Sequence, residues 1–120
     1  MHVARVDRDV LRGRILVADD EPHIRRILTT LLESADYSVD AVDTGTAAFA
    51  RLEGETPYVM AVMDIMMPGA TGLEVLESIQ TLGHRDGLPV LILTAKGQDA
   101  DRSAALDNGA RAFMTKPFSP

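Results

Sequence analysis

Five short, mostly apolar runs constrain the fold of this chain more than any other feature. They comprise Ile15 to Ala18, Ser38 to Val42, Val59 to Met63, Val90 to Leu93 and Ala112 to Thr115. Longer segments with helical spacing separate them, and such an alternation is typical of buried parallel strands joined by crossover helices. Crossover connections between parallel strands are right-handed, and consecutive elements usually lie next to each other. We therefore predict an α/β protein with one doubly wound parallel sheet.

The segments between the runs predict four helices. Pro22 opens the first one, whose apolar residues on one face are Ile24, Ile27, Leu28, Leu31 and Leu32. The others are expected from Gly45 to just before Gly54, from about Thr71, and from about Gln98 to Asn108. No helical segment follows the fifth run, so we expect the fifth helix of the alternation to be absent from this chain. We expect residues 1–13 to be an N-terminal extension and residues 14–120 to be one domain, truncated before its last helix.

Composition excludes several classes of function. The chain has no cysteine, which removes disulfides and thiolate metal sites. Its net charge of −6 opposes binding to a polyanion, so we expect this chain not to contact nucleic acid directly. No apolar stretch approaches the length of a membrane span. We therefore expect a cytoplasmic protein with no membrane contact.

Polar residues stand where four of the apolar runs end. Asp19, Asp20 and Glu21 follow the first run, and Asp64, Thr94 and Lys116 follow the third, fourth and fifth. Because parallel strands end at the same edge, where open sheets bind ligands, we expect these side chains to share one pocket. An acid after a strand could merely cap the next helix, but a cap needs only one. Glu21 is expected to be solvated or to support the site indirectly.

The chemistry of this set favours phosphoryl transfer. Two carboxylates 4 Å apart repel each other by roughly 4 kcal/mol at an effective dielectric of about 20, so the pocket requires a cation. Mg²⁺ is suited to carboxylate oxygens and leaves room for a phosphate oxygen. Lys116 adds a second positive charge and Thr94 adds a hydroxyl donor. A nucleophilic carboxylate in such surroundings can accept a phosphoryl group as an aspartyl phosphate.

The same residues carry a family resemblance. The segments Ile15 to Pro22, Met63 to Gly69, Leu93 to Ala95 and Lys116 to Phe118 closely resemble the receiver domain of two-component response regulators. The resemblance implies a flavodoxin-like sheet of strand order 2-1-3-4-5 and a phosphorylation-activated signalling switch. It also implies that Asp64 accepts phosphate from a sensor histidine kinase or a small phosphodonor. The activity expected is regulatory, limited to the domain's own phosphorylation and dephosphorylation.

The resemblance also implies roles for individual residues. Asp20 would bind Mg²⁺ directly and Asp19 through water, beside Asp64 and the backbone carbonyl of Met66. Lys116 would contact the phosphoryl group and Thr94 would move toward it. The same resemblance makes Phe113 the switch aromatic and the Lys116-Pro117 bond a cis peptide.

The motifs are most similar to receivers that precede winged-helix DNA-binding domains. Two departures stand against dimerisation through the face those receivers use: Arg111 and Ala112 replace acids before Phe113, and the last helix is missing. The resemblance implies that phosphorylation controls an output domain, the binding of a partner or self-association. A phosphatase is disfavoured because Met66 stands where that chemistry uses a second acid. A phosphorylation-independent interaction module is disfavoured because no member of the site set is missing.

Overall fold

A five-stranded parallel sheet forms the centre of the molecule in a computed structural model that describes residues 12–95 and 99–116. The strands are β1 (Arg14–Ala18), β2 (Ser38–Val42), β3 (Tyr58–Asp64), β4 (Val90–Ala95) and β5 (Ala112–Lys116). Their order is β2-β1-β3-β4-β5 and every neighbouring pair is parallel. The predicted doubly wound sheet and its order are confirmed.

Four α-helices connect the strands within the described residues. They are α1 (Pro22–Ser34), α2 (Gly45–Glu53), α3 (Gly72–Ile79) and α4 (Asp99–Asp107), and a 3₁₀ turn, Gly83–Arg85, precedes β4. None of the helices in these ranges combines the length and apolar character needed to cross a bilayer. Most of the predicted N-terminal extension, residues 1–11, and the predicted cis bond at Pro117 lie outside the described residues.

The two faces of the sheet have separate cores. One face packs against α2, α3 and α4, and the other packs against α1 through Ile24 and Leu28. Leu31, predicted on the buried face of α1, is instead 49% exposed. Among the described residues, α1 is the only helix in the core of its face. Leu31 therefore has no second helix to pack against.

An ionic network joins the strands at the end of the sheet where β1 and β3 begin. Asp40 accepts hydrogen bonds from Arg14 at 2.7 Å and from the Tyr58 hydroxyl at 2.6 Å, and Arg51 lies 3.5 Å away. Burial alone raises the pKa of Asp40, but the hydrogen bonds from Tyr58 and Arg14 and the charges of Arg14 and Arg51 outweigh it. The pKa of Asp40 is therefore lowered.

Arg85 caps the carboxyl end of α2 from inside the protein. Its Nε donates to the carbonyl oxygen of Leu52 at 2.9 Å and its Nη2 to that of Gly54 at 3.0 Å. Its guanidinium also lies 5.3 Å from the centre of the Tyr58 ring. A cation is favoured beside the last carbonyls of a helix, where the helix dipole is negative. The burial of this charge is thus explained by its partners.

Candidate functional site

The structure brings the predicted site residues to one edge of the sheet. Asp19 follows β1 directly, Asp64 is the last residue of β3, and Lys116 is the last residue of β5. Thr94 lies in β4, in register with Thr115 of β5. Residues distant in sequence therefore meet because the carboxyl ends of their strands meet.

Two of the site carboxyl groups are buried and two are exposed. Asp19 and Asp64 are 0% and 5% exposed, while Asp20 and Glu21 reach solvent. Each of the four contributes one oxygen to a group whose members all lie within 4.8 Å of one another. Carboxylates this close strongly favour a bound cation, and their oxygens are the donors that Mg²⁺ prefers. The donor set therefore fits a hard divalent ion.

The ammonium group of Lys116 lies among these carboxylates. Its Nζ donates hydrogen bonds to Glu21 Oε1 at 2.6 Å and to Asp64 Oδ2 at 3.1 Å. Asp19 Oδ2 is 3.0 Å away, as an ion pair outside hydrogen-bond geometry. Because the Lys116 side chain is only 11% exposed, protein carboxylates replace most of its water shell. One positive charge is thus shared by three negative ones.

The charges of the site change the pKa values of Asp64 and Lys116. Burial raises the pKa of Asp64, the charge of Asp19 raises it further, and Lys116 and the Met66 amide only partly oppose them. Burial lowers the pKa of Lys116, but its contacts with Glu21, Asp19 and Asp64 reverse this effect and leave the pKa raised. The lysine therefore remains a cation at neutral pH.

Backbone contacts fix the turn that carries the first acids. Asp19 donates its N–H to Val42 at 3.1 Å, and its carbonyl oxygen accepts from Arg25 at 2.7 Å. Its Oδ1 accepts the N–H of Glu21 at 2.9 Å. With Oδ1 used for this turn, Oδ2 is the oxygen of Asp19 that faces Lys116.

Close packing shapes the loop after Asp64. The amide of Gly72 donates to Ile65 at 2.9 Å, and that of Met66 donates to Asp64 Oδ1 at 3.4 Å. A Cβ at Gly72 would overlap the carbonyl oxygen of Asp64, and one at Gly45 would overlap that of Ala70. Only glycine allows the backbone to approach this closely. The two glycines therefore hold the loop against α2 and α3.

Thr94 is fully buried with an unused donor. Its side chain is 0% exposed, and its Oγ1 has no hydrogen-bond partner among the described residues. A buried hydroxyl without a partner typically costs about 1–3 kcal/mol. The hydroxyl could donate to an oxygen of a ligand bound at this edge of the sheet.

Phe113 lies on β5, outside the pocket. It is 37% exposed, and the Arg102 guanidinium lies 5.0 Å from the centre of its ring. Arg102 also donates to Thr115 Oγ1 at 2.6 Å. Phe113 therefore faces outward beside α4, while Thr94 lies on the adjacent strand.

Two contacts of this site were not predicted from the sequence. Glu21, expected to be solvated or to support the site indirectly, has a side chain that is 57% exposed and that pairs with Lys116. Gly72 was not recognised as a residue that positions Asp64. No local pattern around Pro22 indicates a contact with a residue 95 positions later. The backbone carbonyl of Met66 as a metal ligand stays a prediction.

Known proteins share both the sequence and the fold. The sequence model of the response regulator receiver domain family matches residues 15–120. The transcriptional regulatory protein ResD of Bacillus subtilis (strain 168) is 39% identical over 107 residues, which cover 89% of this chain and 43% of that protein. TcrA of Mycobacterium tuberculosis is 42% identical over 106 residues, or 88% of this chain and 41% of that protein. The chain thus spans less than half the length of these curated relatives.

Solved structures agree with this grouping. A putative response regulator from Chloroflexus aurantiacus superimposes with a TM-score of 0.82 at 27% identity, covering 89% of this chain and 87% of that one. The receiver domain of a sensor histidine kinase from Pseudomonas aeruginosa, which has a magnesium ion in its active site cleft, gives a TM-score of 0.79 at 27% identity, with 88% and 86% covered. The carboxylate edge, the strand order and these matches together show that the chain belongs to the receiver domain family of two-component response regulators.

Proposed function

We propose that this chain is a phosphorylation-activated switch that accepts a phosphoryl group on Asp64. The observation that carries the proposal is the contact of 3.1 Å between Asp64 Oδ2 and Lys116 Nζ within the carboxylate group. It supports the proposal because an ionised carboxylate can attack phosphorus without a general base, and the adjacent ammonium offsets charge on the phosphoryl oxygens.

The proposed reaction is an in-line displacement at phosphorus. One carboxylate oxygen of Asp64 forms a bond to phosphorus as the bond to the donor breaks, and the donor atom keeps that electron pair. The donor is a phosphohistidine of a sensor kinase or a small acyl phosphate. Lys116 neutralises part of the developing charge, and the Thr94 hydroxyl donates a hydrogen bond to a phosphoryl oxygen.

Mg²⁺ is the cofactor proposed for this site. Asp19, Asp20, Asp64 and the backbone carbonyl of Met66 would hold it, with Asp19 acting through water. When bound, the ion supplies positive charge to the phosphoryl oxygens. Because Lys116 already contacts Asp19 and Asp64, a metal would share these carboxylates with the lysine rather than replace it.

Phosphorylation would change the surface near β5. The new acceptor oxygens would draw Thr94 inward, and Phe113 on the adjacent strand would follow into the space the threonine leaves. A shift from mostly off to mostly on needs about 5.5 kcal/mol, which a few charge-assisted hydrogen bonds could provide.

The proposed context is a longer cytoplasmic regulator. ResD and TcrA are each more than twice as long as this chain, and both are named transcriptional regulatory proteins. Residues 14–120 would therefore act as the receiver for an output domain or partner, with self-association as another route. Nucleic acid would be contacted by that output rather than by this acidic chain.

Intact mass spectrometry after incubation with acetyl phosphate tests the function. We expect a gain of one phosphoryl group that requires Mg²⁺ and is lost in Asp64→Asn. Asp43→Asn, which removes an exposed carboxyl group after β2, should still gain it. A folded wild-type protein that gains no mass would contradict the proposal and favour a phosphorylation-independent interaction module.

A further inference from the structure

Glu21 makes the shortest contact of Lys116. Its Oε1 is 2.6 Å from the lysine Nζ, whereas the oxygens of Asp19 and Asp64 are 3.0 and 3.1 Å away. Glu21 stands at the N-cap of α1 but makes no side-chain capping hydrogen bond. Its backbone N–H is held by Asp19 Oδ1, which leaves its side chain free to reach across to β5.

The ammonium group of Lys116 donates to Glu21 and Asp64 and forms an ion pair with Asp19. An ammonium group has three N–H bonds, and three carboxylates surround this one. A phosphoryl oxygen that approaches Lys116 therefore competes with these carboxylates for one positive charge.

Exposure decides which carboxylate gives up the lysine most easily. The side chains of Asp19 and Asp64 are 0% and 7% exposed, so neither can regain water when its cation moves away. The Glu21 side chain is 57% exposed and can exchange the lysine for solvent at little cost.

We propose that Glu21 is a positioning residue that holds Lys116 in the unphosphorylated protein and that the phosphoryl group competes with it for the ammonium. This inference rests on the proposed function of Asp64. Glu21 thus keeps the ammonium at the pocket in the resting state and competes with the phosphoryl group for it. Both effects act through Lys116, since Glu21 itself needs no contact with the phosphoryl group.

Removal of this competition should favour the phosphorylated state. An ion pair with one exposed partner is weak, so Glu21→Gln should bind a phosphoryl mimic up to about fivefold more tightly. The glutamine keeps the size of the side chain. Asp43→Asn removes one negative charge from an exposed residue just after β2, and no ion pair to Lys116 is present there among the described contacts.

Beryllofluoride with Mg²⁺ is the probe, and its dissociation constant is measured by calorimetry for the wild-type protein and both variants. We expect tighter binding in Glu21→Gln and unchanged binding in Asp43→Asn. Acetyl phosphate labelling, followed by intact mass, should be faster in Glu21→Gln by a similar factor. Urea unfolding of the unliganded proteins checks that Glu21→Gln is folded.

The outcomes separate this inference from the proposed function. Equal or weaker binding in a folded Glu21→Gln protein, beside a wild type that binds the probe, overturns the role of Glu21 and leaves Asp64 as acceptor. An equal gain in Asp43→Asn also overturns it, because bulk charge would then explain the effect. A wild type that neither binds beryllofluoride nor gains mass overturns the proposed function and this inference together.

Discussion

Replacement of Thr94 by valine should stabilise the resting protein and weaken its response to phosphorylation. Valine has nearly the same shape as threonine but no hydroxyl group. In the resting structure the Thr94 Oγ1 is buried and has no partner among the described residues. Removal of such a group recovers about 1 kcal/mol of its desolvation cost. We therefore expect the free energy of unfolding to rise by about that amount.

The effect reverses once an acceptor is present. Under the proposed function, a bound phosphoryl mimic would accept a hydrogen bond from this hydroxyl in the wild type, and such a bond contributes about 1 kcal/mol net. Compared with the wild type, Thr94→Val is more stable in the free state and less stable in the bound state, so both differences weaken binding. Binding should weaken by about 2 kcal/mol, close to thirtyfold in the dissociation constant.

Urea titrations with and without beryllofluoride and Mg²⁺ measure both the free energy of unfolding and the binding free energy. Circular dichroism follows the unfolding because the chain has no tryptophan. Thr115→Val is the matched control: Thr115 is the register partner of Thr94, and its Oγ1 accepts from Arg102 at 2.6 Å. The free energy of unfolding of Thr115→Val should be about 1.5 kcal/mol lower than that of the wild type. A Thr94→Val protein less stable than the wild type, or with undiminished binding, would refute the reasoning.

Three further changes probe the framework of the site. Gly72→Ala should lower the free energy of unfolding by about 2 kcal/mol and slow labelling of Asp64, because its Cβ would push the Asp64 carbonyl aside; thermal melts and intact mass measure both. Arg85→Ala should cost about 3 kcal/mol in urea titrations, because it removes a buried cap from α2, yet labelling should persist. The lowered pKa of Asp40 contributes stability above about pH 4 that is lost as pH falls further, so Asp40→Asn should flatten the acid limb of a pH-dependent unfolding curve.

Much of the fold follows from local patterns in the chain. Strands such as Val90–Ala95 can be recognised in the sequence because they are short, apolar and bounded by turn residues. Their parallel arrangement follows from the helices between them. The meeting of Asp64, Thr94 and Lys116 follows in turn, since each ends or nearly ends a strand.

Features that depend on long side chains were not predictable in this way. Glu21 and Lys116 are 95 residues apart, and nothing in the spacing of either indicates that they touch. Arg85 resembles a surface residue in sequence, yet it is buried because α2 ends beside it. Leu31 has the period of a core position but has no second helix beside it within residues 12–95 and 99–116. In each case the outcome depends on distant elements rather than local pattern.

The position of β5 at the edge of the sheet links the site to local unfolding. Asp19 follows a central strand and Asp64 ends another, whereas Lys116 is held by a strand that, among the described strands, pairs with β4 alone and exposes Ala112 to Met114. Edge strands open at lower free energy than central ones. Each detachment of β5 would withdraw the ammonium and leave the buried acids in mutual repulsion. The time that β5 spends on the sheet would then set the fraction of time in which the pocket is complete.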